Sequence, residues 1–329
     1  MSIIDPTTVL EPCPMPDFVE TDYIKGVTKR SLGYIKAGFP LHLRGISGTG
    51  KTTLAIHIAS RIGRPMVLIH GDEEFSTSDL VGSENGYSFS KLKDNFIHSV
   101  LKIEETMDKH WVDNRLTLAC KHGFTLVYDE FTRSRPEANN VFLSVLQERL
   151  LDLPTTNYGD SNYIKVHDDF TAIFTSNPED YAGVHRSQDA LRDRMVTLDL
   201  DYFDEETEIN IVHNKSGLGL EDSTKIVSIV RDLRDSNVFE FAPTVRGSQM
   251  IAKTVKILGR KVSTEDETFV QICTDILSSE TSRIGSISNR ERVQKILLEL
   301  IDKYCSRKGK RNGKEPAAQG YTPERIFKS

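Results

Sequence analysis

Gly45-Ile46-Ser47-Gly48-Thr49-Gly50-Lys51-Thr52 is the stretch on which the reading of the fold turns. It fits G-x-x-x-x-G-K-[ST], a pattern whose glycines let successive backbone N–H groups turn inward around an anion. Pro40 to Arg44 before it is a short strand pattern, and Lys51 to Ile62 after it repeats apolar residues at helical spacing. A strand, a glycine loop and a helix in that order make a phosphate cradle, because the positive end of the helix dipole points at the same place. Gly45, Ile46, Ser47, Gly48, Thr49, Gly50, Lys51 and Thr52 are therefore the candidate ATP-holding residues. Lys51 would reach the β and γ phosphates and Thr52 would ligate Mg2+. A ligand-free glycine turn is the plain alternative, and the position between strand and helix argues against it.

Working outward, four more short β runs follow: Pro65 to Ile69, Phe124 to Tyr128, Phe170 to Thr175 and Met195 to Leu200. Helical stretches or loops separate them, which predicts an α/β fold with a parallel five-stranded sheet between helices. Strand tips in such a fold face the ligand crevice. Phe124-Thr125-Leu126-Val127-Tyr128-Asp129-Glu130 delivers two adjacent acids to its tip. Asp129 is expected to hold Mg2+, and Glu130 to orient and deprotonate the attacking water, so the pair favours hydrolysis. Phe170 to Thr175 ends in Ser176-Asn177-Pro178, where the Asn177 amide would hydrogen-bond both the water and the γ-phosphate.

Ala190-Leu191-Arg192-Asp193-Arg194-Met195 sets two arginines just before the last strand. A guanidinium suits the charge of a transferring phosphoryl group, and Arg194 is favoured over Arg192 to act in trans on a neighbour's ATP. The alternative is that either arginine simply pairs with Asp189 or Asp193. Pro243-Thr244-Val245-Arg246 opens a helix, where a basic residue opposes the dipole and needs an anion such as the γ-phosphate.

The chain has 329 residues, 38% of them apolar and 27% charged, enough for a medium α/β domain and a smaller companion. Its 42 basic and 48 acidic residues leave a net charge of -6, which makes nucleic acid an unlikely general partner. The four cysteines, Cys13, Cys120, Cys273 and Cys305, form no C-x-x-C pair, and no H-E-x-x-H occurs. Neither a disulfide framework, nor a zinc site, nor covalent catalysis is expected, and a reducing cytoplasm fits. The acidic, Pro-rich start is no export signal, and no apolar run approaches the roughly 18 to 20 residues that cross a bilayer.

Residues 1–17 are expected to be an extended arm that packs on a neighbour or stays mobile, and 18–203 the ATPase core. Helical patterns at Thr207 to His213, Ser223 to Asp235, Arg246 to Leu258 and Glu265 to Ser278 make 204–304 a small helical domain. Residues 305–329 are expected to be a basic, disordered tail.

These motifs carry a resemblance. Gly45 to Thr52, Leu68-Ile69-His70-Gly71-Asp72-Glu73-Glu74-Phe75-Ser76-Thr77-Ser78-Asp79-Leu80-Val81-Gly82, Phe124 to Asn140 and Ala172 to Arg194 resemble AAA+ ATPases of the MoxR-like branch, and within it the gas vesicle N family. The resemblance covers roughly residues 18 to 255. It implies an AAA+ P-loop core with a C-terminal helical lid, Walker A and B elements at Lys51/Thr52 and Asp129/Glu130, and sensors at Asn177 and Arg246. It also implies an arginine finger at Arg194 and two projecting loops, an insert around Asp79 to Phe89 and the stretch Asp152 to Asp169. Two departures stand out: Asp193-Arg194-Met195 where the branch usually has D-R-F, and Thr-Val before Arg246 where it has Ser-Pro. The implied role is that of a cytoplasmic, chaperone-like ring, a hexamer, acting on gas vesicle shell or accessory proteins during vesicle assembly or enlargement. The alternative is a nucleotide-dependent binding scaffold with little turnover.

Overall fold

The computed structural model describes residues 9–13, 15, 17–94, 102–153, 162–178, 185, 189–236, 242–281 and 287–306; of 84–94, 102–111, 279–281 and 287–290 it describes the backbone alone. The chain divides into two compact units, residues 1–214 and 215–329. The expected disordered tail lies outside the described residues, apart from Cys305 and Ser306.

The first unit begins with α1 (Asp22–Lys36), β1 (Leu41–Gly45), α2 (Lys51–Ile62) and β2 (Met66–His70). Then come α3 (Thr77–Val81), β3 (Gly82–Asp94), β4 (Lys102–Asp113), α4 (Arg115–His122) and β5 (Thr125–Asp129). After a 3-10 turn at Phe131–Arg133, α5 (Pro136–Asn139), α6 (Val141–Gln147), β6 (Leu150–Asp152) and β7 (Tyr163–Lys165) follow. The series closes with β8 (Thr171–Ser176), α7 (Asp189–Arg192), β9 (Val196–Leu200) and α8 (Glu205–Ser216), the last running past the division at residue 214.

Five strands form one parallel sheet in the order β2-β5-β8-β1-β9. The β5 side chains are all buried and those of β8 nearly so, which is why these strands read as continuous apolar runs rather than alternating ones. In the parallel register Tyr128 pairs with Phe174 and His70 with Asp129, so the tips of β2, β5 and β8 end side by side.

Beneath those tips lies an aromatic cluster. Tyr128, Phe131, Phe142 and Phe174 are fully buried, with ring centroids 5.3 to 6.2 Å apart. Buried aromatic rings at such spacings hold their neighbours by area and by edge-to-face attraction, so the platform under the acids is stiff. Tyr128 hydroxyl donates to Ser134 Oγ at 2.7 Å, and burial pushes its phenol up to about 12.

The structure differs from expectation at three places. The insertion from Asp79 is not a loop but an antiparallel ribbon, β3 on β4, paired from Gly82–Asp113 to Asp94–Lys102 with a register shift between Glu84 and Gly86. The stretch after Asp152 also contains a strand, β7, which pairs with β6. In the N-terminal arm Leu10 bridges antiparallel to Met66, capping the sheet's edge strand within the same chain.

The second unit holds α9 (Leu220–Asp235), α10 (Val245–Ile257), α11 (Glu267–Thr281) and α12 (Ile287–Cys305). Ile226, Val230, Leu233, Ile251, Val255, Phe269, Leu297 and Ile301 form buried stripes at helical spacing. Asp232 accepts from Lys303 Nζ and Tyr304 hydroxyl, each at 2.6 Å. Among the described residues no helix is long and apolar enough to cross a membrane.

Candidate functional site

β1 delivers Gly45 at its tip, where the backbone passes so close to β9 that a β-carbon would stand 2.3 Å from Leu200 O. Gly48 and Gly50 take left-handed φ of 84° and 72°, a conformation that favours glycine. The Phe203 ring, itself buried, would meet a β-carbon on Gly50 at 3.1 Å and closes the back of the loop. Gly50 caps α2 without a side chain, so no side-chain cap takes the amides of the first turn and they are left for an anion. Lys51 is buried, and its Nζ donates to Ile46 O at 2.7 Å across the loop; Thr49 Oγ1 donates to the same carbonyl at 2.9 Å.

The acids stand at the next tips. Asp129 is buried at the end of β5, and its Oδ1 accepts from Thr52 Oγ1 at 2.7 Å and from Thr175 Oγ1 at 2.5 Å. Its Oδ2 lies 3.4 Å from His70 Nδ1. The Thr175 hydroxyl also accepts from the Glu130 N–H at 2.9 Å, so one hydroxyl fixes both acids. Glu130 has φ 51° and ψ 40°, a left-handed conformation costing a non-glycine residue about 1–3 kcal/mol, held against that cost by the packing around it. Its Oε2 is 3.1 Å from Arg133 Nη1, in an exposed ion pair. Gly71 N–H donates to Asp129 O at 2.7 Å, and a β-carbon at Gly71 would stand 2.1 Å from Glu130 O.

Asn177 directly follows β8, is half-buried, and its amide makes no hydrogen bond among the described residues. One residue earlier, Ser176 Oγ sits 2.8 Å from His42 Nε2, while His42 Nδ1 is 3.1 Å from Thr197 Oγ1. Burial, with Arg44 and Arg192 nearby, lowers the His42 pKa to about 4.

The two arginines part company. Arg192 lines a cleft of about 470 Å3 with Arg44, Gly45, Ile46, Pro178 and Asp199, beside the start of the phosphate loop. Arg194 turns to α6: its Nε donates to Gln147 Oε1 at 2.7 Å, and its terminal nitrogens donate to Gln147 Oε1 and Ala190 O. Its side chain thus takes neutral oxygens rather than the carboxylate of Asp189 or Asp193. Arg246 belongs to the second unit, exposed at the start of α10, whose N-cap Thr244 accepts from the Arg246 N–H at 3.3 Å.

Thr52, Asp129, Glu130 and the loop 45–51 thus come together in one crevice at the carboxyl ends of β1, β5 and β8, with Asn177 at its side. Sequence reading did not single out Thr175 or Gly71. The signal was there in part: Thr175 stands one step past the Tyr128–Phe174 pair, level with Asp129, so a hydroxyl at that position reaches the acid. Nothing in the sequence showed that Gly71 lies against the Glu130 carbonyl.

The donor set suits a hard cation. Thr52 hydroxyl and Asp129 carboxylate offer two oxygens 2.7 Å apart, and Mg2+ takes few protein ligands, completing its shell with water and phosphate.

A family model for the AAA domain (dynein-related subfamily) matches residues 40–195. The chain is 49% identical over 300 residues to a gas vesicle ATPase GvpN of Ancylobacter aquaticus, covering 91% of this chain and 84% of that one. It is 43% identical over 274 residues to GvpN of Haloferax mediterranei, covering 82% and 76%. Among solved structures, the RuvB Holliday junction branch migration motor of Thermotoga maritima aligns at a TM-score of 0.46 and 13% identity, over 81% of this chain and 71% of that one.

Proposed function

The chain belongs to the family of gas vesicle ATPases and is an AAA+ ATPase; from that premise we propose that it acts as a ring, a hexamer, that hydrolyses Mg·ATP between subunits to remodel or deliver gas vesicle shell or accessory proteins in the cytoplasm. The observation that carries the hydrolytic part is the chain of hydrogen bonds from Thr52 through Asp129 and Thr175 to the Glu130 backbone.

In this reading the amides of residues 45–52 wrap the phosphates, and Lys51 exchanges the Ile46 carbonyl for a phosphate oxygen. Thr52 and Asp129 would hold Mg2+, which when bound neutralises charge on the phosphoryl oxygens. Glu130 accepts the proton of the attacking water, a role commonly worth about 10²- to 10⁴-fold in rate. The Arg133 ion pair yields readily, because an exposed pair is worth about 1 kcal/mol or less. Asn177 orients the water from the neighbouring strand tip. Arg194 meets the transferring phosphoryl of the adjacent subunit, where such a finger contributes about 10³ to 10⁵ in rate.

The rival reading is a nucleotide-dependent scaffold with little turnover, favoured by the two resting contacts that engage Lys51 and Glu130. Vesicle formation in cells carrying Lys51→Ala or Glu130→Gln separates the two. A motor loses vesicles with both, whereas a scaffold loses them with Lys51→Ala and keeps them with Glu130→Gln.

A further inference from the structure

We infer that Gln147 is a positioning residue for ATP hydrolysis: its side-chain oxygen holds the Arg194 guanidinium in the orientation from which it serves a neighbouring subunit's nucleotide. The inference rests on the reading of Arg194 as the residue that acts in trans.

Three observations carry it. First, a guanidinium has five N–H donors, and here three are used: Nε and Nη2 on Gln147 Oε1, and Nη1 on Ala190 O. That fixes the plane of the group and leaves one N–H on each terminal nitrogen for a ligand. Second, both acceptors are neutral. A carboxylate partner, such as Asp189 or Asp193, would orient the group but also cancel the charge that a phosphoryl oxygen needs. An amide oxygen orients the group and leaves its charge in place.

Third, the backbone that carries Gln147 is anchored, although its side chain is exposed. It is the last residue of α6, and two residues on Arg149 takes a left-handed φ of 57°. The Arg149 guanidinium donates to the carbonyls of His167 at 2.7 Å and Asp168 at 3.0 Å, and stands 5.8 Å over the Phe170 ring. The corner that follows α6 is therefore tied to the segment leading into β8, the strand that carries Thr175 and leads into Asn177. Arg194 takes its position from the same framework as the acids.

The test compares Gln147→Leu, which keeps the size of the side chain and removes the acceptor, with Gln147→Glu, which keeps an acceptor oxygen but makes it a carboxylate. Full-length chains are assayed for ATPase at protein concentrations where activity per subunit no longer rises. Gln147→Leu is expected to lower kcat about tenfold with KM for ATP and Tm unchanged, a loss equivalent to about 1.4 kcal/mol of transition-state stabilisation. Gln147→Glu is expected to lose at least as much kcat, because its carboxylate orients the guanidinium but cancels the charge that the phosphoryl oxygen needs. In an Arg194→Ala background, Gln147→Leu should add nothing, since the two groups act as one. A Gln147→Leu chain within twofold of wild type, a Gln147→Glu chain at the wild-type rate, or a further fall in the double variant would each overturn the inference. Full activity in Arg194→Ala alone would instead remove the reading of Arg194, and the inference with it.

Discussion

Replacing Gly71 by alanine adds one methyl group at the point where β2 passes the acids. That β-carbon would stand 2.1 Å from Glu130 O and 2.8 Å from Glu130 C, against an ordinary contact of 3.4 Å or more. The obstacle is backbone, so no side chain can swing aside, and relief requires roughly 1 Å of movement. Gly71 is also hydrogen-bonded to Asp129 O at 2.7 Å, which couples its displacement to the second acid. Overpacking of this kind costs about 1–3 kcal/mol of stability, and a 1 Å misplacement of a reacting group costs about 10²-fold in rate. The Gly71→Ala chain is therefore expected to lose about a hundredfold in kcat and a few degrees in Tm. Nucleotide affinity should change less than threefold, because loop 45–52 hangs from other strands. Steady-state phosphate release, calorimetric ATP titration and thermal melting measure the three quantities. A Gly71→Ala chain that turns over within twofold of wild type would refute the packing argument.

Three further outcomes are expected. Thr175→Val keeps the shape of the side chain but removes the hydroxyl shared by Asp129 and the Glu130 N–H; leaving those groups unpaired should cost about 1–3 kcal/mol in denaturant unfolding and at least tenfold in kcat. For His42 the folded pKa of about 4 lies below the ordinary 6.5, so the folded state binds fewer protons than the unfolded one in that window. Its contribution is thus fully present above pH 6.5 and is lost as pH falls toward 4, by about 2 kcal/mol at pH 5, and a His42→Gln chain should show a correspondingly flatter stability profile in urea melts. Mixing Lys51→Ala chains, which keep Arg194, with Arg194→Ala chains, which keep Lys51, should recover activity that neither variant has alone; no recovery at any ratio would remove the trans arrangement.

The parallel sheet was legible because buried parallel strands are apolar throughout and because glycines punctuate the chain. Gly50 and Gly63 bracket α2, which spans Lys51–Ile62 as its periodicity indicates. The ribbon of β3 and β4 was not legible. Its strands, such as Lys102-Ile103-Glu104-Glu105-Thr106, carry no sustained alternation of apolar and polar residues, and its pairing is set by backbone hydrogen bonds between segments of unremarkable composition. Leu150–Asp152 and Tyr163–Lys165 are three residues each, too short for any pattern to declare itself. At the site, the residues carrying charge or turning the phosphate loop announced themselves by type and spacing. Those that hold them did not: Thr175, Gly71, Gln147 and Arg149 act through contacts between segments distant in sequence, and only the folded chain brings these together.

In the proposed mechanism Glu130 takes the proton from water beside a bound nucleotide. Single-turnover phosphate release by Glu130→Gln, with ATP binding followed on the same sample by calorimetry, measures this most directly. Stoichiometric Mg·ATP binding with release slowed at least about a hundredfold is expected. Release at the wild-type rate, or no binding of ATP to the intact chain with magnesium present, would contradict it.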